Sequence, residues 1–259
     1  MALPHSAASV LLVSSVVACR PAPAPTPPIR VAAAADLVAA FEELGRKFER
    51  DRRQKVTFSF GASGLLAKQL REGAPFDLFA AANASFVDQA VSAGACDGST
   101  KAPYARGHLA VWSKKGSVVP ASSLEDLAAP RFRKISIANP EHAPYGRAAK
   151  EALISAGIWE KVEARVVFGE NVRQALELAA TGNTEVAVVA MSLVKNDSEG
   201  TFFAVDEARH RPIEQALVVC TRGANAAGGK LFAEYVNSAA GREVLARYGL
   251  GPPGEAPRK

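Results

Sequence analysis

Apolar positions along this chain repeat at two spacings: every second residue over short runs, and every third or fourth over longer ones. The first spacing is that of a strand and the second that of an amphipathic helix. "PIRVAAA" (28–34) predicts a strand, and residues 36–50 predict a helix with Leu37, Phe41, Leu44 and Phe48 on one face. "KVTFSF" (55–60) alternates and ends in "GASG"; "LLAKQLREG" (65–73) then predicts a helix stopped by Gly73. "FDLFAAA" (76–82) and "ASFVDQAVSAG" (84–94) repeat the unit, with Gly94 as the stop. Strands are predicted again at 108–113, 134–140, 164–171, 185–191 and 215–223, and helices at 141–157, 172–182 and 192–196. A single long helix is predicted over 227–249. This alternation predicts an α/β protein with mixed, mostly parallel sheets covered by helices on both faces.

The N-terminus departs from that pattern. "SAASVLLVSSVVA" (6–18) is an apolar run too short to span a bilayer but of the length of a secretory signal core. It ends in "VVAC", which resembles a lipobox and makes Cys19 the expected lipidation site. "RPAPAPTPP" follows as a semi-rigid tether of the kind that holds a domain off a membrane. No Lys or Arg precedes the apolar core, so Met1 is in question as the true start, and a plain cleaved signal peptide is the alternative. The expected organisation is a lipoprotein signal at 1–19, a tether at 20–28, a folded body to residue 250 and a disordered tail at 251–259.

Composition narrows the chemistry. The 259 residues are 48% hydrophobic and 22% charged, with a formal charge of +5, which mildly favours anionic partners. The cations are scattered and no basic-aromatic stripe appears, so no nucleic acid is expected. Cys96 and Cys220 lie far apart in sequence with Cys220 in the apolar run "ALVVC", so buried free thiols are expected ahead of a disulfide. The histidines at 5, 108, 142 and 210 are isolated, and no metal-ligand spacing occurs. No dinucleotide fingerprint, phosphate loop or nucleophile elbow is present, since Ser63 is followed at once by Gly64. His142 is the best lone acid–base candidate, and a loop histidine bonding backbone explains it better. No enzyme and no cofactor are expected.

The informative positions are strand-to-helix junctions: Ala35-Asp36, "GASG" (61–64), "GENV" (169–172) and the proline-bounded loop "PEHAPYG" (140–146). Helix N-termini carry free N–H groups and partial positive charge, and in α/β sheets they converge beyond the strand ends. Small anions bind there. Asp36, Ser63 and Asn171 are also common N-cap types, which is the plainer reading of each alone.

Several stretches together resemble the periplasmic molybdate-binding proteins, the substrate-binding components of molybdate ABC importers. They are "VAAAADL", "FSFGASGLLAKQLREGAPFDLFAAAN", "NPEHAPYGRAAKEAL", "GENVRQALELAATGNTEVAVV" and "GREVLARYGL", spread from about Ile29 to Leu250. The resemblance implies a two-lobed fold of the type II binding-protein kind. One lobe would comprise 28–105 plus 212–250 and the other 106–211. It implies a monomer that closes on molybdate or tungstate and presents it to a permease, periplasmic or extracytoplasmic and anchored through its lipid. It also implies ligand contacts from Asp36, Ser63, Tyr145 and Val172: side chains at the first two, backbone amides at the last two.

Two positions depart from the family. A serine hydroxyl is usual where Asp36 stands, and a tyrosine hydroxyl where Ala190 stands. Tyr145 offers a phenol from the opposite side. An ionised carboxylate about 4 Å from one negative charge costs on the order of 4 kcal/mol at an effective dielectric near 20. Asp36 escapes that cost by capping its own helix, by accepting a proton from an oxyanion such as phosphate, or by meeting a ligand with a donor group. A receptor domain that senses an anion is a further reading of the same fold.

Overall fold

The structure, a computed structural model, describes residues 26–116 and 120–254. The signal segment, Cys19 and most of the expected tether lie outside the described residues, as do residues 255–259.

The chain builds two five-stranded sheets in succession and then returns to the first. β1 (Ile29–Ala34) leads through a 3-10 turn at Ala35–Leu37 into α1 (Val38–Arg52). β2 (Val56–Gly61), α2 (Ser63–Arg71), β3 (Leu78–Ala81), α3 (Ala84–Ser92) and β4 (Ala102–Gly107) complete the outward path. The second sheet follows as β5 (Leu109–Lys114), β6 (Ile135–Ala138), α4 (Pro144–Ser155), α5 (Trp159–Val162) and β7 (Val166–Gly169). It continues with α6 (Val172–Ala180), β8 (Val186–Ala190), α7 (Met191–Val194) and β9 (Gly200–Ala204). The chain returns as β10 (Ile213–Val219), α8 (Ala226–Asn237) and α9 (Ala239–Arg247). Strand order is β2-β1-β3-β10-β4 in one sheet and β7-β6-β8-β5-β9 in the other.

Each sheet is mixed. β1 runs parallel to β2 and β3, and β6 parallel to β7 and β8. β10 runs antiparallel to β3 and β4, and β5 antiparallel to β8 and β9. Helices cover both faces of the first sheet. On one side Phe41, Leu44 and Phe48 of α1 are fully buried, and Phe232 of α8 meets Phe41 and Phe48 edge-on at 6.0 and 5.3 Å. On the other, Leu66 and Leu70 of α2 pack with Phe79 and with Val87 and Ala90 of α3. Over the second sheet, the Ser136 hydroxyl donates to the Ala175 carbonyl of α6 at 2.7 Å.

Only His108 separates β4 from β5, so one strand path runs from sheet to sheet. The return path crosses between Ala204 and Ile213. Arg106 and His108 of the first crossing both meet Glu207 of the second, at 3.0 and 2.5 Å.

Three expectations need correction. Cys96 and Cys220 are not free thiols but a disulfide. Their backbones pair as an antiparallel bridge, flanked by Asp97 N–H to the Val219 carbonyl and Thr221 N–H to the Ala95 carbonyl, so the fold holds the two sulfurs together. The long C-terminal helix is two helices. Ser238 breaks it in extended backbone, and its hydroxyl accepts the Gly241 N–H as the cap of α9. Gly251, where the disordered tail was expected to begin, pairs both ways with the Arg106 backbone at 2.8 Å. Gly73 and Gly94 end α2 and α3 as expected, in the left-handed region at φ +103° and +67°.

Candidate functional site

The carboxyl ends of β1, β2 and β3 and the N-termini of α4 and α6 face one another across a single small cavity of about 10 Å³. The first sheet contributes Ala34, Ala35, Asp36, Gly61, Ala62, Ser63 and Ala82, and the second contributes Ala143, Pro144, Tyr145, Asn171 and Val172. The structure therefore brings Asp36, Ser63, Tyr145 and Val172 together. The run of alanines in "VAAAAD" has its use here. Methyl side chains at the strand ends let the backbones of both halves come close to anything held between them.

Each helix presents its first turn to the cavity. Val172 is the first residue of α6, after an N-cap Asn171 whose side chain accepts the N–H groups of Arg173 and Gln174. That leaves the Val172 N–H without an intrahelical partner. Pro144 opens α4 with no N–H of its own, so the first amide offered there is that of Tyr145. Ser63 opens α2; its N-cap is Ala62, so Ser63 is not a cap. The Ser63 hydroxyl oxygen instead accepts the Ala82 N–H at 3.0 Å, which leaves its own proton to be given elsewhere.

The two halves touch directly around the cavity. Gly64 N–H donates to the His142 carbonyl at 2.9 Å. A Cβ at Gly64 would lie 2.9 Å from the Cβ of His142 and 2.9 Å from its carbonyl oxygen, so this approach requires glycine. His142 thus serves through its backbone.

Asp36 is not a cap either. The 3-10 turn has Ala34 at its N-cap and no side-chain cap bond. The Asp36 carboxyl, 1% exposed, turns inward instead. Its Oδ2 accepts the Tyr145 hydroxyl at 3.0 Å and the Gln215 amide at 2.7 Å, and the same amide lies 3.0 Å from the Tyr145 oxygen. The one phenolic proton of Tyr145 is therefore given to Asp36. Asp36 Oδ1 has no partner among the described residues. The Ser192 hydroxyl donates to the Asp36 carbonyl at 2.8 Å and fixes the turn from α7. Burial pushes the Asp36 carboxyl up to about 6, against the pull of the Gln215 and Tyr145 hydrogen bonds. Burial, and then the Asp36 charge, hold the Tyr104 and Tyr145 phenols well above the usual range, so both stay protonated. Ala190 is fully buried at the start of α7 and lines no part of the cavity.

Gln215 escapes a reading of the sequence. Its one signal is a polar residue inside the apolar run "IEQALVV", and it lies 179 residues from Asp36.

Two linked α/β halves that close helix N-termini around a small cavity define a bilobal solute-binding protein. A family model described as bacterial extracellular solute-binding protein matches residues 29–251. The chain belongs to that family, in the branch that contains the periplasmic molybdate-binding proteins. It is 33% identical to molybdate-binding protein ModA of Azotobacter vinelandii over 86% of this chain and 89% of that one. It is 34% identical to ModA of Rhodobacter capsulatus, over 88% and 89%. The solved periplasmic molybdate-binding protein of Azotobacter vinelandii superposes with a TM-score of 0.81 at 26% identity, covering 87% of this chain and 99% of that one. Each of these relatives is named for molybdate binding.

Proposed function

We propose that this protein captures a small tetrahedral oxyanion, molybdate or tungstate, in the cavity between its two sheets and delivers it to an ABC permease. The observation that carries the reading is that Ser63, Tyr145 and Val172, each in the first turn of a helix, line one cavity together with the Ser63 hydroxyl. Dipoles of this kind neutralise an ionised oxyanion without a fixed counter-charge, so the ligand is held and can still be released. The names of the relatives support the choice of oxyanion.

In this reading residues 28–105 with 212–250 form one moving body and residues 106–211 the other, hinged where the chain crosses at His108 and between Ala204 and Ile213. Closure around the anion creates the surface a permease recognises. The protein works as a monomer held outside the cytoplasm by lipid at Cys19, and it performs no chemistry on its ligand. Isothermal titration of the purified chain with molybdate, tungstate, sulfate and phosphate tests the proposal. Saturable binding of molybdate or tungstate, with sulfate weaker, is expected. Heats indistinguishable from dilution for all four ions would refute it. The second reading, phosphate in place of molybdate, is favoured by one observation, the unpartnered Oδ1 of Asp36.

A further inference from the structure

The few polar groups that residues lining the cavity can offer are mostly donors: the Ser63, Tyr145 and Val172 amides and the Ser63 hydroxyl. Asp36 is the exception. Its two oxygens have unlike surroundings. Oδ2 is held by the Tyr145 hydroxyl and the Gln215 amide, whereas Oδ1 is buried, belongs to a residue lining the cavity and meets no donor. A buried carboxylate oxygen left bare is costly, and an anion placed beside it would repel it. A proton on that oxygen relieves both costs: it satisfies Oδ1 and turns it into a donor toward the guest.

We propose that the site takes its oxyanion together with one proton, held between Asp36 Oδ1 and a ligand oxygen. The inference rests on the oxyanion reading and adds its proton balance. For an oxyanion that is fully ionised in solution, the carboxylate, the dianion and one solvent proton combine, and the new O–H bond is on Oδ1. For hydrogen phosphate the proton arrives on the ligand, its O–H donates to the ionised Oδ1, and nothing is taken from solvent. Asp36 then sorts oxyanions by whether they carry a proton of their own.

The groups around Asp36 allow this. The titratable side chains that act on it are Tyr145 from α4 and Tyr104 from β4, both held protonated, so neither supplies a charge that would fix the carboxylate as an anion. Gln215 from β10 and Ser192 from α7 are uncharged. Burial already raises the carboxyl to about 6 before any anion enters, and a neighbouring negative charge raises it further.

Titration of the purified chain with micromolar molybdate, and separately with inorganic phosphate, at several pH values from about 6.5 to about 8.5 tests this. The molybdate Kd should rise about tenfold per pH unit over the upper part of that range. Binding heats in buffers of different ionisation enthalpy should report one proton taken up per molybdate and none per hydrogen phosphate near pH 8. Asp36→Ser should bind molybdate with a Kd flat in pH and lose affinity for phosphate. Asp36→Asn, which keeps the side-chain shape, should also remove the pH dependence. A wild-type molybdate Kd independent of pH, without proton uptake, overturns the inference while leaving the oxyanion reading intact. Binding by Asp36→Ser alone, with none by the wild type, also overturns it, because Asp36 would then only repel. No binding of either anion by wild type or variants at any pH overturns the oxyanion reading itself.

Discussion

Gly64→Ala isolates the closing of the two halves from the folding of either. The substitution lies in the first turn of α2, and its methyl group would come within 2.9 Å of both the His142 Cβ and the His142 carbonyl oxygen. Ordinary van der Waals contact begins near 3.4 Å, so the halves must part by about half an ångström or more at this point. Overpacking of this size costs about 1–3 kcal/mol. The Gly64 N–H to His142 carbonyl bond, worth about 0.5–1.5 kcal/mol, is weakened as well. The closed form should therefore lose about 2–4 kcal/mol, which is roughly 30- to 1,000-fold in affinity for a ligand that requires closure. The folding of the unliganded chain should not suffer, because alanine is the better helix former by up to about 1 kcal/mol. Isothermal titration with molybdate, thermal melting of the ligand-free protein and the radius of gyration by small-angle scattering read the three quantities. Weaker binding, an equal or higher melting temperature and a larger radius are expected. An unchanged molybdate Kd would show that the Gly64–His142 contact is no part of the liganded state and would defeat the reasoning.

Two further outcomes concern stability. The Asp36 carboxyl holds its proton more tightly folded, at about 6, than at its usual 3.8, so protonation favours the folded state. The ligand-free protein should therefore be most stable relative to Asp36→Asn below pH ~4 and should lose up to about 3 kcal/mol of that advantage as pH passes ~6. Equal pH profiles in denaturant melts of the two proteins would contradict this. The Cys96–Cys220 bond closes a separation of 124 residues, worth about 5 kcal/mol on the chain-entropy view. Replacing both cysteines by serine should lower the melting temperature of the unliganded protein yet leave molybdate affinity unchanged, because neither residue lines the cavity.

Much of the architecture could be read from periodicity because central strands and stop signals are local. The buried runs at β1, β3, β6, β8 and β10 stand out as apolar, and Gly73 and Gly94 mark helix ends by a backbone shape that other residues resist. β4 and β9 were not legible. Both are sheet edges; β4 carries Pro103 and Gly107, and β9 is largely exposed, so neither shows a clean period. The α8–α9 break was hidden because the apolar spacing continues through Ser238, and only the extended backbone there reveals the new cap.

The site divides along the same line. The junctions that carry Ser63, Tyr145 and Val172 were readable because each residue lies in the first turn of a helix after a loop or strand end, a local signal; their reading as ligand contacts came from the family resemblance. What Asp36 does there was not, since its partners Tyr145 and Gln215 are 109 and 179 residues away. The disulfide escaped for the same reason: a backbone bridge between distant segments leaves no mark in spacing.

The place of β10 constrains how the chain can be made. It is wedged between β3 and β4, and β4 has no other neighbour in its sheet. Until β10 arrives, the first sheet has a missing plank, and Cys96 lacks Cys220, its partner in the fold. The first sheet is complete only once β10 enters it, and the covalent bond to Cys220 then records that this strand has found its slot.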